Sequence, residues 1–479
     1  MRDMRRTKII TTLGPATKDK QKIKELISAG ANILRINLSH GTTEEQQAQI
    51  LLAKECGQEL NCIVGILVDL QGPKIRIQRL AEKYITLHEG DTLVLDPTYK
   101  GEGTAACIGV NHPNLPKEVL PGAELLLDDG RISLVVKDII GNKVICRANC
   151  SGILLPYKGL NKKGGGLSLA SLTEKDKADI MAIGKLPIDY VALSFPKDAE
   201  DIKYAKSLLK AQNSPANLVA KIERSEAVEN IDEIIEAADA VMVARGDLGV
   251  EVGYAELPAI QKYIINRATL SDKAVITATQ MMESMITNPI PTRAEVSDVA
   301  NAILDGTDAV MLSAETATGD YPIKVVAMLT EICKAAERQL ITTISGHRIE
   351  TRFGRHDEAI AMASMYVANH LDIKAIVCLT ESGSTPLWMS RIRSSIPIYG
   401  LSRNEQACGR MTLYRGVHPV YFDVTQYENW EISKYVLDKL IQMDILLEGD
   451  KVLVTKGNIV GVGGHTNTLK ILEAKKINT

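Results

Sequence analysis

Leu218-Val-Ala-Lys221-Ile-Glu223-Arg224 and, one βαβ unit later, Ala240-Val-Met-Val-Ala-Arg245-Gly246-Asp247-Leu-Gly249 decide the reading of this chain. Each is a short apolar run of the buried-strand type that ends in charged residues. If the two runs are neighbouring parallel strands of a closed barrel, their C-terminal ends share one rim, where barrels build active sites from βα loops. A lysine and two carboxylates then meet there. Period-two alternation also puts Lys221 and Glu223 on the same face of their strand.

Outward from this pair the alternation of strand and helix continues in both directions. Upstream, apolar runs at Lys8–Thr12, Ile33–Ile36 and Ile63–Val68 read as strands, separated by helical patterns at Lys20–Ala29 and Glu44–Cys56. After a helix at Glu174–Ile183, strands follow at Tyr190–Leu193, Leu218–Lys221, Ala240–Val243, Ala274–Thr277 and Ala309–Leu312. Helices at Ala199–Lys210, Ala227–Ala237, Leu257–Thr269 and Ala294–Leu304 fit between them. Eight βα units predict a (β/α)8 barrel. A single doubly wound sheet is the weaker alternative, because five successive crossovers favour closure.

Two further regions break the pattern. Short β-rich pieces, among them Thr92–Leu95, Leu125–Leu127 and Lys143–Cys146, predict a small all-β domain inserted after the third strand. Past a polar stretch at Thr342–Asp357, a helix from Glu358 and strands at Ala375–Leu379, Ile398–Leu401, Val417–Tyr421 and Lys451–Val454 predict a C-terminal open α/β domain. The expected division is residues 1–73 and 171–342 for the barrel, 74–170 for the insert and 343–479 for the last domain.

A chain of 479 residues exceeds one hydrophobic core. With 45% hydrophobic but only 4% aromatic residues, aliphatic side chains must supply most of the burial. The net charge of −3 gives no basic field for nucleic acid. No signal-peptide pattern opens the chain and no run of about 18 apolar residues occurs, so a cytoplasmic protein without membrane partners is expected. Eight cysteines without a CxxC are expected to be buried thiols.

The rims carry the chemistry. Glu223 and Asp247 suit a hard divalent ion, Mg²⁺ or Mn²⁺, that keeps waters and bridges to substrate oxygens; their second reading pairs them with Arg224 and Arg245 in structural salt bridges. Lys221 suits charge neutralisation in a transition state, or a simple ion pair with Glu223. Gly246 allows a ligand close to the backbone. After the second strand, Arg35, Asn37 and Ser39 alternate with apolar residues, offering a planar fork for phosphate or carboxylate and oxygen ligands, or merely filling a barrel layer. His40 follows in the loop. Asp69 closes the third strand, Leu70 succeeds it, and Lys74 and Arg76 lie at the join to the insert, where a hinge can swing them over the mouth. Lys158 lies on the return hinge. Thr279 and Ser313 bring hydroxyls to the seventh and eighth rims. In the last domain Thr380, Ser382, Gly383, Ser384 and Thr385 precede Pro386 as a phosphate cradle or an ordinary capped helix, with the glycine-rich Lys456–Thr468 placed to close over it. No GxxxxGK[ST] is present, so phosphoryl transfer here would not use a P-loop.

Taken together, LRINLSHG, VDLQGPKIR, VAKIER, VMVARGDLGVE, ITATQMMESMI, PTRAEVSDVANAILDGTDAVMLSAET and LTESGST resemble the pyruvate kinase family, and GGGLS and TEKDKADI resemble its bacterial form. The resemblance spans nearly the whole chain and implies a (β/α)8 barrel with an inserted small β-barrel lid domain and a C-terminal open α/β domain. It implies transfer of the phosphoryl group of phosphoenolpyruvate to ADP, giving ATP and an enolate that is protonated to pyruvate. By match to the family motifs, Glu223 and Asp247 bind Mg²⁺, Gly246 and Asp247 lie against the substrate carboxylate, and Thr279 binds that carboxylate and helps position the proton donor. Lys221 neutralises the migrating phosphoryl, Arg35 holds its oxygens, and Ser313 belongs to the proton relay. Arg76, Lys158 and His40 serve the nucleotide.

Asn37, Ser39, Asp69 and the Leu70 carbonyl match the family's monovalent-cation site. Where potassium-dependent members carry glutamate in the GPxIR segment, this chain has Lys74. A tethered ammonium replacing K⁺ implies activity without that ion, with Asp69 as the expected partner of Lys74. The C-terminal cradle matches the family's effector site, for which a sugar monophosphate or AMP is preferred to fructose bisphosphate, and family members are usually homotetramers. Two other readings stand beside this one: a Mg²⁺-dependent aldolase or lyase working through a pyruvate enolate, and a catalytically silent metabolite sensor.

Overall fold

The computed structural model describes residues 4–343, 350, 352–458 and 464–474. Eight parallel strands close into a barrel: β1 (Lys8–Thr12), β2 (Ile33–Asn37), β3 (Gly65–Asp69), β4 (Tyr190–Leu193), β5 (Asn217–Ile222), β6 (Ala240–Ala244), β7 (Ala274–Ala278) and β8 (Ala309–Leu312). Each pairs with its sequence neighbour, and β1 pairs with β8 to complete the ring. The expected (β/α)8 barrel is present.

Alternation along each strand splits its side chains between two cores. Leu34 and Ile36 on β2, and Leu218, Ala220 and Ile222 on β5, pack outward against the helices. Ile33 and Val219 face the barrel interior with Tyr190, Met242 and Ile276, and Arg35 and Lys221 follow on that inward face by the same period. Each fully buried Leu, Ile or Val contributes roughly 1.5–3 kcal/mol. The surrounding helices begin at side-chain caps: Thr42 and Thr292 form capping boxes with Glu45 and Glu295, and Asp198 accepts from the Asp201 amide.

The insert's eight short strands form a curled six-stranded sheet and a two-stranded ribbon around a separate aliphatic core. The C-terminal domain is a five-stranded sheet, parallel apart from Thr466–Glu473, which runs antiparallel to Lys451–Gly457. It docks on the N-terminal ends of the barrel strands, away from the rim of Lys221 and Glu223. There Tyr190 Oη donates to the Arg410 carbonyl at 2.6 Å, and Arg391 makes a buried ion pair with Asp308.

Two local readings need correction. The single helix expected at Ala227–Ala237 is two, Ser225–Glu229 and Ile231–Ala237, broken at Asn230. β3 starts at Gly65 rather than Ile63, where an added Cβ would strike the Thr412 hydroxyl of the docked domain. Part of the Thr342–Asp357 stretch, residues 344–349 and 351, lies outside the described residues. Cys56, Cys146, Cys333, Cys378 and Cys408 are buried free thiols, whereas Cys62 is exposed and Cys107 and Cys150 are partly so.

Candidate active site

The C-terminal rim gathers the predicted residues around Lys221. Its Nζ lies 3.0 Å from Glu223 Oε1 and 3.2 Å from Asp69 Oδ1, and donates to Ser194 Oγ at 2.7 Å. Ser194 Oγ in turn donates to the Leu70 carbonyl at 2.7 Å. Burial works against the Lys221 ammonium, but Asp69 and Glu223 outweigh it and hold its pKa well above the ordinary value.

Arg35 reaches Asp69 Oδ2 through Nε at 2.8 Å and Nη2 at 2.7 Å, while its Nη1 donates to Thr12 Oγ1 at 2.9 Å. Burial pushes the Asp69 carboxyl up, but Lys221 and Arg35 together keep it below the usual carboxylate value. Glu223 goes the other way. Burial, with Asp247 and Asp69 nearby, pushes it up to about 7 despite Lys221, and its Oε2 accepts from the Phe195 amide at 2.9 Å.

The salt bridges proposed as the second reading do not form. Arg224 pairs with Glu226 at 2.9 Å and Arg245 with Asp298 at 2.8 Å, which leaves Glu223 and Asp247 facing the rim. Asp247 and Gly246 lie in the first turn of a short helix, Arg245–Val252, that starts directly from β6. The Gly246 amide donates to Thr279 Oγ1 at 2.8 Å, and that hydroxyl donates to the Ala278 carbonyl at 2.6 Å. Thr279 and Gln280 both have left-handed backbones, φ 66° and 53°, uncommon for a β-branched residue and frequent where sites hold strain.

Lys74 departs from expectation. Its Nζ sits 3.1 Å from Asp247 Oδ1 and 3.9 Å from Asp129 Oδ1, so its partner is not Asp69. Asp69 is already engaged by Arg35 and Lys221, and the chain turns at Gly72, φ 66°, directly against Ser194. Asn37 and Asp69 are register partners on β2 and β3. Asn37 Oδ1 accepts from the Ser39 amide at 3.0 Å. Ser313 lies at the start of the helix Ala314–Ala317, its amide donating to Glu315 Oε2 at 2.6 Å.

At the hinge, Arg76 bridges to Gly159, beside Lys158. Arg76 Nη1 donates to the Tyr157 carbonyl at 2.9 Å, and Lys158 Nζ pairs with Asp128 at 2.7 Å. His40 is exposed on the loop after β2, and its ring makes no hydrogen bond or ion pair among the described residues. Thr12, Ser194, Phe195 and Arg245 are the residues that the sequence did not assign to this site.

The chain matches the family described as "Pyruvate kinase, barrel domain" over residues 4–326, and "Pyruvate kinase, alpha/beta domain" over residues 358–472. The chain belongs to the pyruvate kinase family. It is 49% identical over 476 residues to pyruvate kinase II of Salmonella typhimurium, covering 98% of this chain and 99% of that protein. Pyruvate kinase of Geobacillus stearothermophilus is 41% identical over 473 residues, covering 98% of this chain and 80% of its relative. A crystal structure of a pyruvate kinase from Cryptosporidium parvum superposes with a TM-score of 0.92 at 31% identity, covering 98% of this chain and 96% of the other. A pyruvate kinase is a glycolytic phosphotransferase with phosphoenolpyruvate and ADP as substrates, and the family works with a divalent metal ion.

The C-terminal cleft lies apart from this rim. Thr380, Ser382, Ser384 and Thr385 line a cleft with Arg403 and Lys456. Gly383, φ 86°, starts the helix Ser384–Ser390 and donates its amide to Thr380 Oγ1 at 3.0 Å. The middle of the Lys456–Thr468 loop, residues 459–463, lies outside the described residues. No helix among the described residues is long and apolar enough to cross a membrane.

Proposed function

We propose that Lys221 neutralises the migrating phosphoryl group of phosphoenolpyruvate while Arg35 holds its oxygens, and that Arg76, Lys158 and His40 receive ADP at the lid hinge. The observation that carries this is the contact of Lys221 with Asp69, Glu223 and Ser194 at once. An ammonium so held keeps its charge and cannot swing away, which is what positional and electrostatic catalysis of phosphoryl transfer requires.

Glu223 and Asp247 suit Mg²⁺ or Mn²⁺. Among the described residues no three His, Cys, Asp or Glu side chains group as a metal cage, and a hard ion of this type is held by one or two carboxylates with waters and substrate oxygens. When bound, the ion supplies positive charge to the substrate oxygens. Mutual repulsion of Glu223 and Asp247 favours a cation between them. Thr279 turns its hydroxyl from the Ala278 carbonyl to the substrate carboxylate, beside the Gly246 amide. Ser313 stands in the path of the proton that converts enolate to pyruvate.

Turnover proceeds without K⁺ in this reading. Lys74 brings an ammonium to the Asp247 rim. Asn37 Oδ1, the Asp69 carboxylate and the Leu70 carbonyl already accept hydrogen bonds from the chain itself. The hydroxyls, Lys456 and Arg403 around the C-terminal cleft suit a phosphorylated effector, a sugar monophosphate or AMP. The domain division 1–73, 74–170, 171–342 and 343–479, a homotetramer and a cytoplasmic location complete the reading.

The test is pyruvate formation from phosphoenolpyruvate and ADP with Mg²⁺, with and without K⁺, against Lys221→Ala. Activity in both salts that collapses in the variant is expected. Activity only with K⁺ removes the role of Lys74, and activity retained by Lys221→Ala removes the role of Lys221.

A further inference from the structure

On the side of the barrel opposite the catalytic rim, a small cavity opens between the barrel and the C-terminal domain. Arg6 and Asp305 line it from the barrel, and Arg393 and Arg415 from the C-terminal domain.

Its acidic groups are already engaged. Asp308 Oδ2 accepts from Arg391 Nη1 at 2.9 Å, and Asp308 Oδ1 from the Arg415 amide at 3.0 Å. Asp305 holds Lys262. Among the cations, Arg6 is committed to Glu337 and to the carbonyls of Thr342 and Ser394, at 2.9 and 2.5 Å. Arg393 spends one nitrogen on the Ile341 carbonyl at 2.7 Å.

Arg415 is different. It is 9% exposed, its Nη2 is buried with no partner, and its guanidinium makes no hydrogen bond or ion pair among the described residues. Its backbone cannot drift to find one, because the Arg415 amide is tied to Asp308 and the Gly416 amide donates to the Arg6 carbonyl at 2.9 Å. Burial lowers the Arg415 pKa to about 10, against the pull of Glu337 and with Arg6 adding to the fall, so the group stays charged at neutral pH. A buried, charged and unpaired guanidinium is costly unless something else completes it.

We propose that this cavity binds a small phosphate monoester, whose phosphate takes the free fork of Arg415 and the spare donors of Arg393. A guanidinium fork pairs bidentately with phosphate, and the exposed Asn266 at the cavity's rim lets an organic remainder project toward solvent. The ligand would touch both domains at once. It differs in place and residues from the Thr380–Thr385 cleft.

Equilibrium dialysis of the full chain with radiolabelled inorganic phosphate, competed with glycerol 2-phosphate, tests the proposal. Phosphate sites per chain are counted in the wild type, Arg415→Gln, Asn266→Glu and, as the C-terminal cleft control, Ser384→Ala. The expected result is one site that glycerol 2-phosphate displaces, that weakens at least tenfold in Arg415→Gln, and that survives in Ser384→Ala. Asn266→Glu places a like charge at an exposed rim position and should weaken the same site at least tenfold, which keeps the test open if Arg415→Gln does not fold. Unchanged phosphate binding in a folded Arg415→Gln or Asn266→Glu chain overturns the site. Phosphate that glycerol 2-phosphate cannot displace overturns the monoester.

Discussion

Arg245 holds Thr279 by its backbone: Nη2 donates to the Thr279 carbonyl at 2.8 Å and to the Gln280 carbonyl at 3.1 Å, and Nε reaches the Thr279 carbonyl at 3.2 Å. Asp298 anchors the same guanidinium from behind at 2.8 Å. The two clamped residues are those with left-handed backbones at the end of β7. Arg245 thus acts as a positioning residue for the Thr279 hydroxyl. Hydrogen bonds from a charged group contribute ~1.5–3 kcal/mol, so Arg245→Met should lower kcat/KM for phosphoenolpyruvate about 10- to 100-fold. The KM for ADP should stay unchanged, because Arg76 and Lys158 lie on the hinge. Steady-state kinetics in each substrate check this; equal losses for both would mean a general structural role.

Lys221→Ala should reduce both activity and stability, and the second effect should depend on pH. Removing the ammonium leaves Asp69 and Glu223, each 1% exposed, without their shared cation. Breaking a buried pair from one side costs about 3–5 kcal/mol. Protonation relieves part of that repulsion, so the loss should be larger at pH 8 than at pH 6. Urea unfolding of wild type and variant at both values measures it, and a pH-independent difference would argue against the coupling.

The barrel and the side chains at its mouth were legible because period-two alternation works on named residues: Arg35 follows Ile33 inward, and Lys221 and Glu223 follow Val219. What escaped belongs to the backbone or to distance in sequence. Phe195 gives Glu223 an amide hydrogen bond from a left-handed conformation, φ 56°, and a main-chain donor has no residue signature. Pro196 immediately after it was an available sign of a turn at the end of β4. Lys74 meets Asp247 across 173 positions of chain, a pairing set by the hinge's path past Ser194 rather than by local spacing. The break at Asn230 was invisible to periodicity because the apolar positions on either side of it still fall on one face.

Glu251 should make stability fall as pH rises. Burial pushes its carboxyl up to about 7, although the Ser225 amide donates to Oε2 at 2.9 Å. An acid with a raised folded pKa favours the native state most below its unfolded value, about 4.3, and loses that contribution as pH rises through 7. Glu251→Gln keeps the acceptor and removes the charge. The variant should therefore gain on wild type between pH 5 and pH 8, by on the order of 2–3 kcal/mol. Thermal midpoints of the two proteins at both pH values check the sign, and parallel curves would place the titration elsewhere.

Lys74→Glu should convert the enzyme to dependence on K⁺. In the native chain the Lys74 ammonium stands 3.1 Å from Asp247, and Asp247 and Asp129 hold its pKa above the ordinary value against the pull of burial. The charge is therefore present throughout the neutral range. Reversing it puts a carboxylate beside Asp247 and Glu223, where like charges repel and the substrate's own negative charge is opposed. A monovalent cation is then needed to restore the balance. Initial rates for wild type and Lys74→Glu in KCl against tetramethylammonium chloride decide it. The wild type should differ by less than about twofold between the salts and the variant by at least about tenfold, the ratio expected for ~1.4 kcal/mol of lost transition-state stabilisation. A wild type that falls more than tenfold without K⁺ would refute the role of Lys74 directly, whatever the variant does.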